Sequence, residues 1–257
     1  MIANYHTHTW RCGHAVGDVR EYVEQAIAAG MQILGFADHT PYPYANGYLS
    51  HIRMELGQAE DYFRTVSDLK QEYAGEITLH IGVEAEYYPA YFSDLLQFLG
   101  DFPCEYMIMG QHFLHNEWDG VYSGSRTAEE RVLIQYVSQV LEGLATGKFS
   151  YLAHPDLLQW VGEPAPYRRE MTRLCRGVQE LGLPLELNLL GLEERRHYPA
   201  ARFWEIAGEV GNAVVLGCDA HEPEALNRPS VEAAGRELAA GYGLQVLDTV
   251  ALRPVGC

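Results

Sequence analysis

The sequence lacks any apolar run of about 18 residues, the length that a membrane-spanning helix needs, so no membrane partner is expected. Its N-terminal segment has neither a basic region nor an apolar region of the signal-peptide type. Cysteine is scarce as well, because the chain has only five, and no two are spaced as CxxC. An odd number without paired spacing argues against a disulfide framework and favours reduced thiols in the cytoplasm.

The chain also has few basic residues. The 257 residues carry 18 lysines and arginines against 35 acidic residues, which gives a formal net charge of -17. A surface this acidic repels a phosphate backbone, so nucleic acid is not an expected partner. A small anionic substrate stays compatible, because bound metal cations can dominate the field inside a site. No coiled-coil heptads appear, and the sequence leaves the oligomeric state open.

The motifs of several covalent mechanisms are missing. The stretch from Gly143 to Lys148 has the wrong spacing for a Walker loop and is followed by Phe149. There is no GxSxG elbow, no cysteine followed by arginine six residues later, and no DxD tripeptide. Because these motifs are missing, covalent catalysis has little support in the sequence, and a metal-activated water is the natural nucleophile.

What the chain does contain is an alternation of short apolar runs with helical patterns. The runs end near Tyr5, Ala37, Val83, Met109, Ala153, Leu187 and Gly217. Helices are predicted over Val19–Ala29 behind an Asp18 cap, from a Thr127/Glu130 capping box to about Thr146, over Tyr167–Leu181 and over Ala200–Val210. A run near Leu244–Leu247 indicates an extra strand. Seven parallel β/α units favour a barrel, although an open sheet shares the same periodicity.

Six of the seven runs end on residue types that bind metals. In chain order these are His6 and His8, Asp38 and His39, Glu84 and Glu86, Gln111 and His112, His154, and Asp219 and His221. The remaining run ends at Asn188, a weaker ligand. In parallel β/α barrels the carboxyl ends of the strands converge on one face. The pattern therefore predicts a metal centre, whereas any one histidine taken alone is equally compatible with a packed residue at a strand end.

Six stretches of the sequence resemble the ordered motifs of one family. They are YHTHTWRCGHA, GFADHTPYP, GVEAEY, MGQHF, YLAHPD and LGCDAHEP, and they extend from the start of the chain to residue 223. The family they resemble is PHP, named for polymerase and histidinol phosphatase. The resemblance implies a distorted seven-stranded (β/α)7 TIM-like barrel that holds three metal ions, and the length of the chain is expected to suit a single such domain over residues 1–257. Histidine ligands with carboxylates suit divalent zinc, manganese or iron, and the sequence leaves the choice among them open.

The resemblance also assigns the ligands. The first ion would be held by His6, His8, Glu84 and Asp219, the second by Glu84, His112 and His154, and the third by His14, His39 and His221. Asp219 and His221 are the candidate catalytic residues that protonate the leaving group. Four arginines are candidate phosphate-binding residues, namely Arg53, Arg126, Arg195 and Arg196. The stretch NLLGLEERRHYP departs from the family pattern for the phosphate-binding arginine.

Within this family, the CGHA and DHTPYP stretches look most like the stand-alone histidinol-phosphate phosphatases. The resemblance therefore implies hydrolysis of L-histidinol phosphate in histidine biosynthesis, with a small phosphate ester as the partner of the site. Three alternatives stay open. These are another phosphate ester such as phosphotyrosine or a nucleotide, a metal-dependent amidohydrolase reaction, and metal binding without catalysis.

Overall fold

A parallel sheet that curls on itself organises the computed structural model, which describes residues 1–256. In chain order the strands are β1 (Ala3–Asn4), β2 (Ile33–His39), β3 (Thr78–Ala85), β4 (Tyr106–Met109), β5 (Phe113–Leu114), β6 (Val121–Tyr122), β7 (Phe149–Leu152), β8 (Leu185–Asn188), β9 (Ala213–Gly217) and β10 (Gln245–Val246). The sheet order is β1-β2-β3-β4-β7-β8-β9-β10, and every neighbouring pair is parallel. Strands β5 and β6 form a separate antiparallel hairpin.

Backbone beyond β1 closes the sheet at its carboxyl end. Thr7 forms an isolated parallel bridge with Ala220, and the His8 N–H donates to the Ala220 carbonyl at 2.9 Å. At the amino end of the sheet, β10 pairs with the first residues of β9 and so adds an eighth strand. The α/β barrel prediction is confirmed, and the apolar run near Leu244–Leu247 is the extra strand.

Helices cover the outside of the sheet. They are α1 (Val19–Ala28), α2 (Ala59–Glu72), α3 (Phe92–Leu99), α4 (Glu130–Ala145), α5 (Pro164–Glu180), α6 (Leu189–Glu193), α7 (Ala201–Val210) and α8 (Pro229–Gly241). As predicted, Asp18 caps α1, and it forms a reciprocal capping box with Glu21. Within residues 1–256, none of these helices has the length and apolar character that would let it cross a membrane.

The capping box predicted at Thr127 is wrong. Helix α4 begins three residues later, and its N-cap residue, Glu129, makes no side-chain cap hydrogen bond. The backbone of Thr127 is instead paired with a distant segment, because its N–H donates to the Gln159 carbonyl at 3.0 Å and its carbonyl accepts from Val161. This extended pairing is incompatible with the start of a helix.

An aromatic side chain, Tyr106, packs inside the barrel. Its hydroxyl donates to the carbonyls of Tyr5 at 2.8 Å and Phe36 at 3.1 Å. A Cβ atom at Gly35 or Gly82 would lie 2.3 or 2.4 Å from the Tyr106 side chain, so these two glycines make room for it. Apolar packing fills this part of the interior, and the polar side chains collect at the carboxyl ends of the strands.

Candidate metal centre

The nine predicted ligands lie together at the carboxyl end of the sheet. Four groups of predicted ligands have ligand atoms that all lie within 4.8 Å of one another, namely His6/His8/Asp219, His6/Glu84/His154, His8/His39/Glu84 and His14/His39/His221, and a fifth such group joins Cys12 to His8 and His221. His112 joins the same cluster, because its ring centroid is 4.9 Å from that of His154 and 5.1 Å from that of His39. The sheet thus brings together residues that are up to 215 positions apart in sequence (His6 to His221).

The Glu84 carboxylate, at the end of β3, is the hub of the cluster. Its Oε1 faces His154 Nε2 at 2.7 Å and His112 Nε2 at 3.7 Å, and its Oε2 faces His39 Nδ1 at 3.0 Å, His6 Nε2 at 3.5 Å and His8 Nε2 at 3.7 Å. A Cβ atom at Gly110 would lie 1.8 Å from Glu84 Oε1, so only glycine leaves space for this carboxylate. One carboxylate that faces five imidazoles is suited to bridging metal ions.

Asp219 supplies the second carboxylate of the cluster. Its Oδ1 lies 3.0 Å from His8 Nε2 and 3.4 Å from His6 Nε2. Its backbone adopts a positive φ of 48°, and that of His154 a φ of 28°. Non-glycine residues in this region store strain and are concentrated at functional sites. The chain therefore bends at two strand ends to aim these side chains inward.

Carboxylates behind three of the histidines orient their rings. The pairs are His6 Nδ1 with Glu186 at 2.8 Å, His8 Nδ1 with Asp38 at 3.4 Å, and His112 Nδ1 with Glu86 at 2.9 Å. Each contact engages Nδ1 and leaves Nε2 directed at Glu84, which is the arrangement that metal-ligating histidines commonly show.

Sequence reasoning missed Glu186. It lies two residues before Asn188 on β8, and residues two apart on a strand face the same side, so this spacing was the available signal. Asn188 connects it to the cluster, because its Nδ2 donates to Glu186 at 2.8 Å and to Asp219 at 3.0 Å. Glu186 therefore contacts the ligand His6 directly and is connected to the Asp219 carboxylate through Asn188.

Several buried atoms of the cluster lie close to one another but make no hydrogen bond of acceptable geometry among residues 1–256. They are His6 Nε2, His8 Nε2, His39 Nδ1, Glu84 Oε2, His154 Nδ1 and His221 Nε2. Each buried polar atom left unpaired costs about 1–3 kcal/mol. Divalent cations that accept these atoms as ligands remove that cost, and imidazole with carboxylate donors suits zinc, manganese and iron. The residues present therefore fit a metal centre.

The histidines of the cluster divide into two sets by their pKa shifts. Burial alone would lower the pKa values of His6, His8 and His154, but neighbouring carboxylates raise them, that of His8 to about 9, so negative charge that a metal cation would neutralise is concentrated at these three rings. Burial and the neighbouring His8 lower the pKa of His221 to about 3, and burial also lowers the pKa values of His14 and His39. These rings are neutral at pH 7 and have a free lone pair. Burial alone would raise the pKa of Glu84, but neighbouring histidines, foremost His112, hold it well below its usual value, so this carboxylate is ionised.

A cleft of about 490 Å³ opens onto the cluster. Of the four candidate arginines, only Arg196 lines it. The Arg196 guanidinium donates to Glu194 at 2.7 Å and to the Tyr198 hydroxyl at 2.9 Å, and the Tyr198 ring lies 6.1 Å from that of His154. Arg196 is thus held at the mouth of the metal centre.

The other three candidate arginines do not line the cleft. Arg126 and Arg195 are exposed. Arg53 is buried and forms ion pairs with Glu86 and Glu117. Its guanidinium is therefore committed to protein carboxylates, which leaves Arg196 as the arginine placed to meet a substrate.

Comparisons with known proteins show which family the chain resembles. Residues 4–189 match the model of the PHP domain. A Deinococcus radiodurans protein named probable histidinol-phosphatase is 33% identical over 230 residues, which cover 86% of this chain and 87% of the relative. The Bacillus subtilis histidinol-phosphatase is 26% identical over 249 residues, covering 84% and 92% of the two chains.

A solved structure shows the same fold. It is the histidinol phosphate phosphatase of Lactococcus lactis, in complex with zinc, L-histidinol and phosphate, and it superposes with a TM-score of 0.73 at 19% identity. The match covers 98% of this chain and 97% of that one. Fold and site together define a β/α-barrel protein with a histidine-rich metal centre. The chain belongs to the PHP family.

Proposed function

We propose that this protein is a metal-dependent phosphomonoesterase that hydrolyses L-histidinol phosphate to L-histidinol and phosphate, a step of histidine biosynthesis. The observation that carries the proposal is the cluster of nine candidate ligand side chains, Glu84 among them, with Arg196 at the entrance of the cleft that opens onto it. The names of the curated relatives support the substrate, and so does the L-histidinol bound in the Lactococcus lactis structure.

Three divalent ions, of zinc, manganese or iron, would occupy the cluster. His6, His8, Glu84 and Asp219 would hold one, Glu84, His112 and His154 the second, and His14, His39 and His221 the third. Bound there, such ions supply positive charge that neutralises phosphoryl oxygens and make water a better nucleophile at neutral pH. The positive charge of these ions would exceed the negative charge of the two ligand carboxylates, Glu84 and Asp219. The site would therefore be strongly positive toward a phosphate monoester, although the protein as a whole is acidic.

The side chains of the cleft would bind and orient the substrate. Arg196 is placed to grip two phosphate oxygens with its planar guanidinium, which Glu194 and Tyr198 hold in position. Apolar side chains of Ile52 and Phe113 line the same cleft and exclude water from around the organic part of the substrate.

Asp219 and His221 are the candidates for transferring a proton to the leaving oxygen. Asp219 Oδ1 lies 3.5 Å from His221 Nδ1, and both side chains line the cleft. Their pKa values are lowered, because neighbouring histidines outweigh the burial of Asp219 and because His221 is buried beside His8. At neutral pH the Asp219 carboxylate is therefore ionised and the His221 ring is neutral. Because both are weak bases, neither would keep a proton, and one of the two would pass a proton on to the leaving oxygen during the reaction.

A substrate panel tests the proposal. The metal-analysed protein is assayed for phosphate release from L-histidinol phosphate, phosphotyrosine, a nucleoside monophosphate and p-nitrophenyl phosphate. We expect kcat/KM for L-histidinol phosphate to exceed about 10⁴ M⁻¹s⁻¹ and to lie far above the others. Equal rates on all four esters would keep the phosphatase chemistry and overturn the substrate. A single domain and a cytoplasmic location remain predictions from the sequence.

A further inference from the structure

Arg53 is a buried cation outside the cleft. Its side chain is 1% exposed and lies between the carboxylates of Glu86 and Glu117, which are 1% and 4% exposed. Its Nε donates to Glu117 at 2.5 Å, and its Nη2 donates to Glu86. A buried ion pair contributes little net stability, because desolvation offsets the attraction between the charges. The main effect of this pair is therefore the geometry that it imposes on the side chains around it.

On one side, Arg53 reaches the metal centre through Glu86. The same oxygen, Glu86 Oε1, accepts from Arg53 and from His112 Nδ1. The other nitrogen of His112 faces Glu84. A carboxylate behind a ligating histidine fixes the direction of its ring, and Arg53 in turn fixes that carboxylate.

On the other side, Arg53 joins two loops that form one wall of the cleft. Glu117, between β5 and β6, accepts from Arg53 and also from the hydroxyl groups of Ser50 at 2.5 Å and Tyr48 at 3.3 Å. Ile52, next to Arg53 in sequence, lines the cleft together with Phe113 of β5. One guanidinium therefore holds the segment after β2 against the hairpin.

We propose that Arg53 is a positioning residue of the metal centre, which holds the imidazole of His112 through Glu86 and ties the cleft wall to it through Glu117. The inference rests on the proposed metal site. Arginine is required here because its planar fork can serve two carboxylates on different edges at once. Lysine keeps the charge but cannot hold both carboxylates in this geometry.

A double-mutant cycle on metal affinity tests this role. Zn²⁺ affinity of the metal-free protein is measured by chelator competition for the unaltered chain, Arg53→Met, His112→Ala and the double variant. We expect Arg53→Met to weaken the ion that His112→Ala also weakens, by about tenfold. In the His112→Ala background Arg53→Met should cause no further loss, because the ring it positions is gone.

Two further variants separate positioning from a loss of fold. Arg53→Lys, which keeps the buried charge, should show an affinity between those of Arg53→Met and the unaltered chain. Arg11→Met is the matched control, because Arg11 is equally buried but pairs with Asp61 on α2. It should lower the melting temperature and keep the affinity for the His112-dependent ion.

Equal losses of Zn²⁺ affinity with and without His112 would overturn the proposal, and so would an unchanged affinity in Arg53→Met. If Arg53→Met does not fold, Arg53→Lys in the two backgrounds decides the question by the same comparison. A chain that binds Zn²⁺ but hydrolyses no phosphate ester would refute the proposed function and leave this cycle valid.

Discussion

Glutamine in place of Glu84 should lower kcat/KM for L-histidinol phosphate by about 1,000-fold or more and remove most of the bound metal. The substitution keeps the shape of the side chain and removes its charge. Glu84 faces five histidines, and its carboxylate would be shared by the first and second ions, so removing its charge acts on both. Loss of several kcal/mol of charge stabilisation in the transition state corresponds to such a factor.

The matched control for this substitution is Glu105→Gln. Glu105 precedes β4, at the opposite end of the barrel, where it contacts Lys70 and the Ile81 N–H. This variant should keep its metal and its activity within about twofold. If Glu84→Gln retained full metal content and activity within tenfold of the unaltered chain, Glu84 would not be the hub of the site.

Methionine in place of Arg196 should lower kcat/KM on the order of 100-fold without loss of metal. The substitution removes the guanidinium and keeps a side chain of similar length. Arg196 touches Glu194 and Tyr198 but no metal ligand among its hydrogen bonds, so the ions should stay in place. The substrate phosphate would lose a bidentate hydrogen-bond donor, and part of the decrease in kcat/KM should appear as a higher KM.

Arg195→Met provides the comparison one residue away. Arg195 is exposed and does not line the cleft, so the same chemical change should leave kcat/KM within about twofold. Equal effects of the two substitutions would show that the loop, and not the guanidinium of Arg196, matters for catalysis.

The strand ends of the barrel were predictable from the sequence because their physics is local. An apolar run that ends in His-x-His or Asp-x-His fixes both the strand and the direction of its last side chains. The parallel arrangement then brings such ends together. His6, His8, Asp219 and His221 follow this reasoning directly.

The features that sequence reasoning missed depend on partners far along the chain. The pattern around Arg53 suggests a loop arginine, but its burial is set by Glu86 and Glu117, which lie 33 and 64 positions away. Thr127 has the local signature of a helix cap, yet pairing with the segment around Trp160 overrides it. No window of sequence contains these contacts, so only the folded chain reveals them.

The most direct test of the central claim is a metal titration of the chelated protein, with phosphate release from L-histidinol phosphate measured at each addition. The account predicts no hydrolysis by the metal-free chain and activity that rises until about three ions are bound per chain. Full hydrolysis by protein without bound metal would contradict the account, and so would complete metal loading without any hydrolysis.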